Sequence, residues 1–396
     1  MNRPRLKRFS LSQIWIIGLA IFSMLFGAGN IMLAINVGMR SGQHFWWAIT
    51  GFILTSVLMP IAGLVSVVEF NGSYNKFFNR IGKIPGQLLV FLIMLIIGPL
   101  NVIPRIITLS HTLFERFLPA NSLGYFTIAF LLLTFLATIR ESKVIELLGK
   151  IISPTLIISL IVIISVGLYI TGHHIPVAET TWNIFLRESK YGFVTFDLFG
   201  TIFFGSIVIS LLKATEKNSV ILKNAPQKNI TLTALYSGLL GSAILGIIYL
   251  GLALVGNLQS YGLTHTNEGE LLRELAIRIL GHWGMCFMGV AVLMACFSTA
   301  IALMVVVSEY IQKSVSKNKL SYVQSLTLVH IAAYFPSTMG LSIALKLSIG
   351  PIASIIYPVV MTITACNLAY QFYGFKPIKI PTLISAILST MLYLIL

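Results

Sequence analysis

The sequence predicts an all-α protein that crosses a membrane many times and forms one transmembrane domain over residues 1–396. Three observations carry that prediction. First, 57% of the residues are hydrophobic and only 10% are charged, against roughly 25% charged in soluble domains. Second, apolar stretches of about 20 residues, enough to span a bilayer as a helix, recur along the chain and leave no room for a soluble domain. Third, the stretches fall into two blocks of similar length that begin on opposite sides of the membrane.

In chain order the expected spans are 12–37, 46–68, 86–112, 122–139, 149–171, 192–212, 231–256, 283–311, 321–337, 346–369 and 380–396, about eleven in all. MNRPRLKR, ahead of the first span, has the charge of a cleaved leader. The apolar run behind it is too long for one and lacks a small-residue cleavage site, so 12–37 is taken as the first span. With the N-terminus inside, all but eight of the 27 lysines and arginines lie on inner segments. The eight are Arg40, Arg105, Arg116, Arg187, Lys190, Arg273, Arg278 and Lys346. This bias places the N-terminus in the cytoplasm and the C-terminus outside. The net charge of +15 therefore reports topology, and nucleic acid is not an expected partner.

Spans one to five (12–171) and six to ten (192–369) form an inverted repeat by hydropathy, with 380–396 as an extra helix. Each block opens on a glycine-interrupted span. The first carries FSMLFGAGN at 22–30, with Gly27 and Gly29, and the sixth carries Gly200 and Gly205. Paired interruptions of this kind point to a transporter's substrate site. Unwound backbone cannot face lipid, because each unpaired polar group there costs several kcal/mol. In such a break the restarting half-helix offers amides to an anion and the ending half-helix offers carbonyls to a cation. A zwitterionic amino acid with a sodium ion suits that field. The other reading of Gly27 and Gly29 is close helix packing, and this stretch alone leaves both open.

The polar positions within the spans show no HExxH and no nucleophile-and-base pair, which argues against an enzyme. A channel would want rings of like charge or a repeated carbonyl filter. Cys286, Cys296 and Cys366 all lie in apolar spans, without disulfide or metal-ligand spacing, and are expected to be buried small hydrophobes. His173 and His174 fall in an outer loop and His330 stands alone in span nine, so solvent and packing are their expected surroundings.

Three stretches, IFSMLFGAGNIM at 21–32, GFILTSVLMPIAGL at 51–64 and IGPLNVIPRIITLS at 97–110, resemble the opening helices of the branched-chain amino acid:cation symporters. MACFSTAIAL at 294–303 and SIGPIASIIYP at 348–357 resemble that family's eighth and tenth helices. The resemblance implies the leucine-transporter-like fold, five helices plus five in an inverted repeat, with helices 1 and 6 broken. It further implies a secondary transporter of the bacterial inner membrane importing leucine, isoleucine or valine with sodium or protons, methionine being a further candidate. The amino acid and the bilayer are the expected partners, with no obligate protein partner and no cofactor beyond the coupling ion. There are departures. Ile31, Met32 and Leu33 follow Asn30 where the family has an aromatic and a pair of prolines. His111 follows Ser110 where the family often has glutamate, and its twelfth helix has no counterpart.

Carried onto these residues, the resemblance assigns the substrate to Gly27, Ala28 and Gly29 of helix 1. On helix 6 it points to Phe199, Gly200 and Phe203, with Ile202 and Phe204 beside them. It assigns sodium to Asn30, to Ser298 and Thr299 of span eight, and to carbonyls around Ser23 and Phe26. Each has a plainer alternative: Asn30 bonding a neighbouring helix, worth about 1 kcal/mol, the hydroxyls bonding back one turn, the aromatics simply packing. Sodium is expected over protons because every acid except Asp197 falls in a loop or at a helix end. A proton-coupled carrier of another small amino acid is the rival. Arg105 and Asp197 lie at comparable depths, about 10 Å and about 7 Å outward of their span centres at ~1.5 Å per residue. They are expected either to pair as part of an outer gate, or to act separately, Arg105 snorkelling and Asp197 capping its helix.

Overall fold

The computed structural model describes residues 11–140, 143–170, 172–218, 227–261 and 268–395. Among its described residues every regular element is a helix, without strands. Helix α1 (Leu11–Leu25) stops within the first expected span, and α2 (Ala28–Ser41) restarts at once. Gly27 makes the break: it is extended, with φ −84° and ψ 166°. Its N–H turns back to the Leu25 carbonyl at 3.0 Å, and the Asn30 N–H takes the Gly27 carbonyl at 2.9 Å to restart the helix.

The second span runs through α3 (Phe45–Ile53), a π-helical turn at Leu54–Leu58 and α4 (Met59–Glu69). A short helix, α5 (Tyr74–Asn79), follows, capped by the Ser73 hydroxyl. The third span is α6 (Lys83–Leu95) plus α7 (Val102–Phe114), the fourth is α8 (Leu123–Thr138), and the fifth is α9 (Val144–Leu147) plus α10 (Ser153–Tyr169). The second block comprises α11 (Thr181–Tyr191), α12 (Asp197–Asn218), α13 (Gln227–Leu258), α14 (Glu268–Leu280), α15 (His282–Tyr310) and α16 (Tyr322–Ser337). It closes with α17 (Leu341–Leu347), α18 (Tyr357–Tyr373) and α19 (Lys379–Ile395). Every expected span holds helix. By length and apolarity 7 described stretches can cross a membrane, and Leu11–Leu25, Leu123–Thr138 and Lys379–Ile395 are shorter apolar helices.

The break in helix 6 is not where its glycines stand. Residues 181–191, expected in a loop, form α11, the N-terminal half of helix 6, which continues as a 3-10 turn over Gly192–Thr195. The chain then turns through Phe196 in the left-handed region, φ 58° and ψ 17°. Gly200 and Gly205 lie inside the continuous α12. Gly205 packs instead on α4, where an added methyl would stand 2.9 Å from Val67 and 3.0 Å from Leu64.

Two further interruptions share one tripeptide. IGP at 97–99 and again at 349–351 throws Gly98 (ψ −123°) and Gly350 (ψ −117°) out of helical geometry. The following proline causes this, since its ring disfavours α conformation in the residue before it. Side chains stitch the two kinks together: Ser348 Oγ donates to Asn101 Oδ1 at 2.8 Å, and Asn101 Nδ2 to the Ala344 carbonyl at 2.8 Å.

Both halves of helix 1 lie along α13. The approach is close enough that a methyl on Gly38 would fall 1.8 Å from the Ala253 carbonyl, and one on Gly241 2.7 Å from the Gly18 carbonyl. Small residues permit such backbone contact between membrane helices. Helix α12 packs on α4 and α13, with α15 behind both breaks. Cys296 and Cys366 are buried in this core as expected, whereas Cys286, near the start of α15, is exposed.

Candidate functional site at the two broken helices

The breaks in helices 1 and 6 meet at a buried polar cluster. Asn30, in the first turn of α2, points Nδ2 at the Leu25 carbonyl that ends α1 (3.0 Å), at Asp197 Oδ1 (3.1 Å) and at the Tyr249 hydroxyl (2.6 Å). Tyr249, on α13, donates in turn to Asp197 Oδ2 at 2.8 Å. Asp197 is the first residue of α12, 2% exposed, where its charge meets the positive end of that helix. Three side chains from three elements thus share one network across both breaks.

Arg105 reaches the same place from α7. Its Nη1 donates to the Val194 carbonyl at 3.2 Å, just before the helix 6 break, and to Ser348 Oγ at 3.4 Å. Its guanidinium carbon stands 5.7 Å from the centre of the Phe196 ring. Nη2 lies against Gly29, where an added methyl would come within 2.6 Å. Arg105 thus reaches Val194 and Ser348, while Asp197 bonds Asn30 and Tyr249, with both side chains at the restart of helix 1.

The expected sodium residues divide. Ser23 bonds back to the Ala20 carbonyl (3.1 Å) and Ser298 to Ala295 (3.0 Å), the ordinary fate of helix hydroxyls. Thr299 differs: its side-chain oxygen is buried with no hydrogen-bond partner. That oxygen faces the break in helix 1, 3.4 Å from where a methyl on Gly27 would sit. Phe26 is buried beside it, with its ring 5.9 Å from that of Tyr249.

The aromatic residues divide as well. Phe199 stacks on Phe196 (5.6 Å, 8°) and meets Tyr357 of α18 at 5.3 Å, forming a wall next to the cluster. Phe203 turns away to α5, with its ring 5.2 Å from Tyr74 and 6.1 Å from Phe78. Ile202 is buried against Gly63, and Phe204 against Gly200. Gly200 stands beside Leu25, where an added methyl would be 3.0 Å away, so it brings α12 close to the end of α1 without unwinding it. Ala28 opens α2 by its backbone, and its side chain lies outside the described residues.

Four residues escaped sequence reasoning. Tyr249 is one of several hydroxyl residues in the span 231–256 and had no signal to set it apart, whereas Ser348 and Asn101 had theirs in flanking the repeated IGP. Glu188, expected in a loop, is fully buried on α11 and bonds Arg40 at 3.1 Å and Arg187 at 2.7 Å. Arg187 also binds Glu179, and its Nη2 takes the Arg40 carbonyl at 2.9 Å. The network fastens α11 to the end of α2. His330 packs, with Nδ1 at 2.8 Å from the Leu326 carbonyl.

Comparison with known proteins agrees with this architecture. The chain is similar to MhsT in complex with L-phenylalanine, with a TM-score of 0.59 and 17% identity over 98% of this chain and 99% of that one. A Na+-coupled sialic acid symporter in a substrate-bound outward-open state gives a TM-score of 0.57 and 13% identity over 96% and 90%. These likenesses show the leucine-transporter-like fold. In sequence, the chain is 31% identical over 398 residues to proteins named as branched-chain amino acid carriers in Staphylococcus aureus strains MRSA252 and USA300, covering 95% of this chain and 86% of each relative. Residues 10–395 match the family described as branched-chain amino acid transport protein, and the chain belongs to that family of membrane transporters.

Proposed function

We propose that this protein imports leucine, isoleucine, valine or methionine by symport with sodium. The observation that carries the reading is the meeting of two backbone breaks at one buried polar cluster, Asn30, Asp197 and Tyr249. Buried polar backbone in a membrane protein belongs where it lines a polar site, and the wall of Phe196, Phe199 and Tyr357 next to it suits an aliphatic side chain. Gly27, Ala28 and Gly29 would hold the polar end of the substrate. Phe199 would meet its side chain at the level of Gly200, while Phe203 contributes packing from farther along α12.

Sodium fits the other face of the break. The partnerless Thr299 hydroxyl near Gly27 supports this reading; with Ser298 and carbonyls from Ser23 to Phe26 it would give a monovalent cation a set of neutral oxygens. Asn30 would join that set through its side-chain oxygen. The fold is read as an inverted repeat, 12–171 against 192–369, with its N-terminus in the cytoplasm of a bacterial inner membrane. One bundle rocking against the other would give alternating access.

A second reading has its own support. Asp197 is a carboxylate buried at the centre of the cluster, and a titratable group there is what proton coupling requires. Uptake of radiolabelled leucine into proteoliposomes separates the two. With an inward sodium gradient at constant pH, concentrative uptake is expected and its replacement by choline abolishes it. Full uptake driven by a pH gradient without sodium would reject the sodium reading.

A further inference from the structure

Buried charges of opposite sign flank the restart of helix 1. Arg105 is 5% exposed and Asp197 2% exposed, and each is held by a different helix. Their settings are not alike. Asp197 lies on the side of the Leu25 carbonyl, linked to it through Asn30. That is the negative end of α1, where a cation is favoured. Arg105 lies on the other side, with Nη2 against Gly29 in the first turn of α2. That is the positive end of a helix, where an anion is favoured. The residue that makes room is Gly29, since any side chain there would strike the guanidinium.

We infer that Arg105 and Asp197 read the two charged ends of the substrate: Arg105 binds the α-carboxylate over the start of α2, and Asp197 binds the α-ammonium at the end of α1. This rests on the reading of the protein as an amino acid carrier and deepens it. The helix ends set the direction of the zwitterion and the two side chains make both of its charges obligatory. Phe196 joins the two contacts, because its left-handed turn delivers Asp197 on one side while its ring lies beneath Arg105 on the other. The same two residues paired only with each other, as a gate, would leave selection among charged and uncharged analogues to the helix ends.

Competition in proteoliposomes tests this with analogues that each lack one charge. Leucinamide keeps the ammonium and loses the carboxylate, and 2-hydroxy-4-methylpentanoate keeps the carboxylate and loses the ammonium. Against the wild-type protein each should compete at least tenfold to a hundredfold less well than leucine, the size of a hydrogen bond to a charged group. Arg105→Gln should erase the preference over leucinamide while keeping that over the hydroxy acid, and Asp197→Asn should do the reverse. Gly29→Ala, which pushes on the guanidinium, should follow Arg105→Gln. Wild-type competition by both analogues at the strength of leucine would overturn the inference even if every variant fails to fold. Variants that reach the membrane and retain measurable uptake with both preferences intact would overturn it too. A wild-type protein that accumulates no apolar amino acid would instead sink the functional reading beneath it.

Discussion

Thr299→Val sets folding and function against each other at one atom. Valine keeps the branched shape of threonine and replaces its hydroxyl by a methyl. In the folded protein that hydroxyl is buried and accepts no hydrogen bond, so it carries a desolvation cost of about 1–3 kcal/mol with nothing to offset it. Removing it should leave thermal stability unchanged or raise it. If the oxygen is a sodium ligand the effect on transport has the opposite sign. Loss of one polar contact to a full charge is worth at least ~1.5 kcal/mol, so the sodium concentration giving half-maximal leucine uptake should rise about tenfold or more. The maximal rate at saturating sodium and the order in which amino acids compete should change little. The assay is initial uptake of radiolabelled leucine across a sodium titration, alongside a melting curve of the detergent-purified protein. A variant that is as stable as wild type and equally sensitive to sodium would refute the assignment of Thr299. Ser298→Val makes the control. Its hydroxyl is already satisfied by Ala295, so a smaller shift in sodium dependence is expected there than at Thr299.

Two other sites give predictions of different kinds. Tyr249→Phe removes the hydroxyl that donates to Asp197 and accepts from Asn30; leucine uptake should fall about tenfold, one charged hydrogen bond, at unchanged surface expression, measured in the same vesicles. At the outer clasp, Glu188 is fully buried while the Arg40 and Arg187 side chains are 41% and 31% exposed. The joint change Arg40→Ala with Arg187→Ala strands a buried carboxylate and should cost about 3–5 kcal/mol, whereas Glu188→Gln leaves partly solvated cations and should cost clearly less in the same melting assay. Equal losses would mean that the clasp contributes through packing alone.

The break in helix 1 could be found from sequence because glycine does the work there: Gly27 is extended and its neighbours restart the helix. In helix 6 glycine misleads. Gly200 and Gly205 give α12 close contact with Leu25, Val67 and Leu64, and the turn falls on Phe196, a residue type that costs about 1–2 kcal/mol in the left-handed region. No local propensity marks such a position, because tertiary contacts impose it: Phe199 stacks on its ring and Arg105 binds the carbonyl two residues before it. Asp197 therefore sits at the break itself and not some way outward of the span's centre. Thr299 could be reached through family resemblance, but its missing partner is visible only in three dimensions. Glu188 was hidden by hydropathy, since TWNIFLRESKY reads as a polar outer loop until α11 folds onto the end of α2.

Arg105 also explains why four irregular helices occupy one neighbourhood. It follows the kink at Gly98 and Pro99 by one turn, its N–H closing on the Asn101 carbonyl at 2.9 Å. It bonds Ser348 at the matching kink of helix 10, Val194 at the break of helix 6, and lies on Gly29 at the break of helix 1. Each irregular segment exposes backbone that regular helix would have satisfied, and within a membrane those groups need partners from the protein. A guanidinium has five donors in a rigid fork, which lets a single side chain serve carbonyls and hydroxyls from several such segments together. It also ties those segments to one another. If Arg105 binds a substrate carboxylate over Gly29, any shift of its guanidinium would change its contacts at Val194 and Ser348 in the same step, and recognition at helix 1 would be joined to α11 and to the kink before α18.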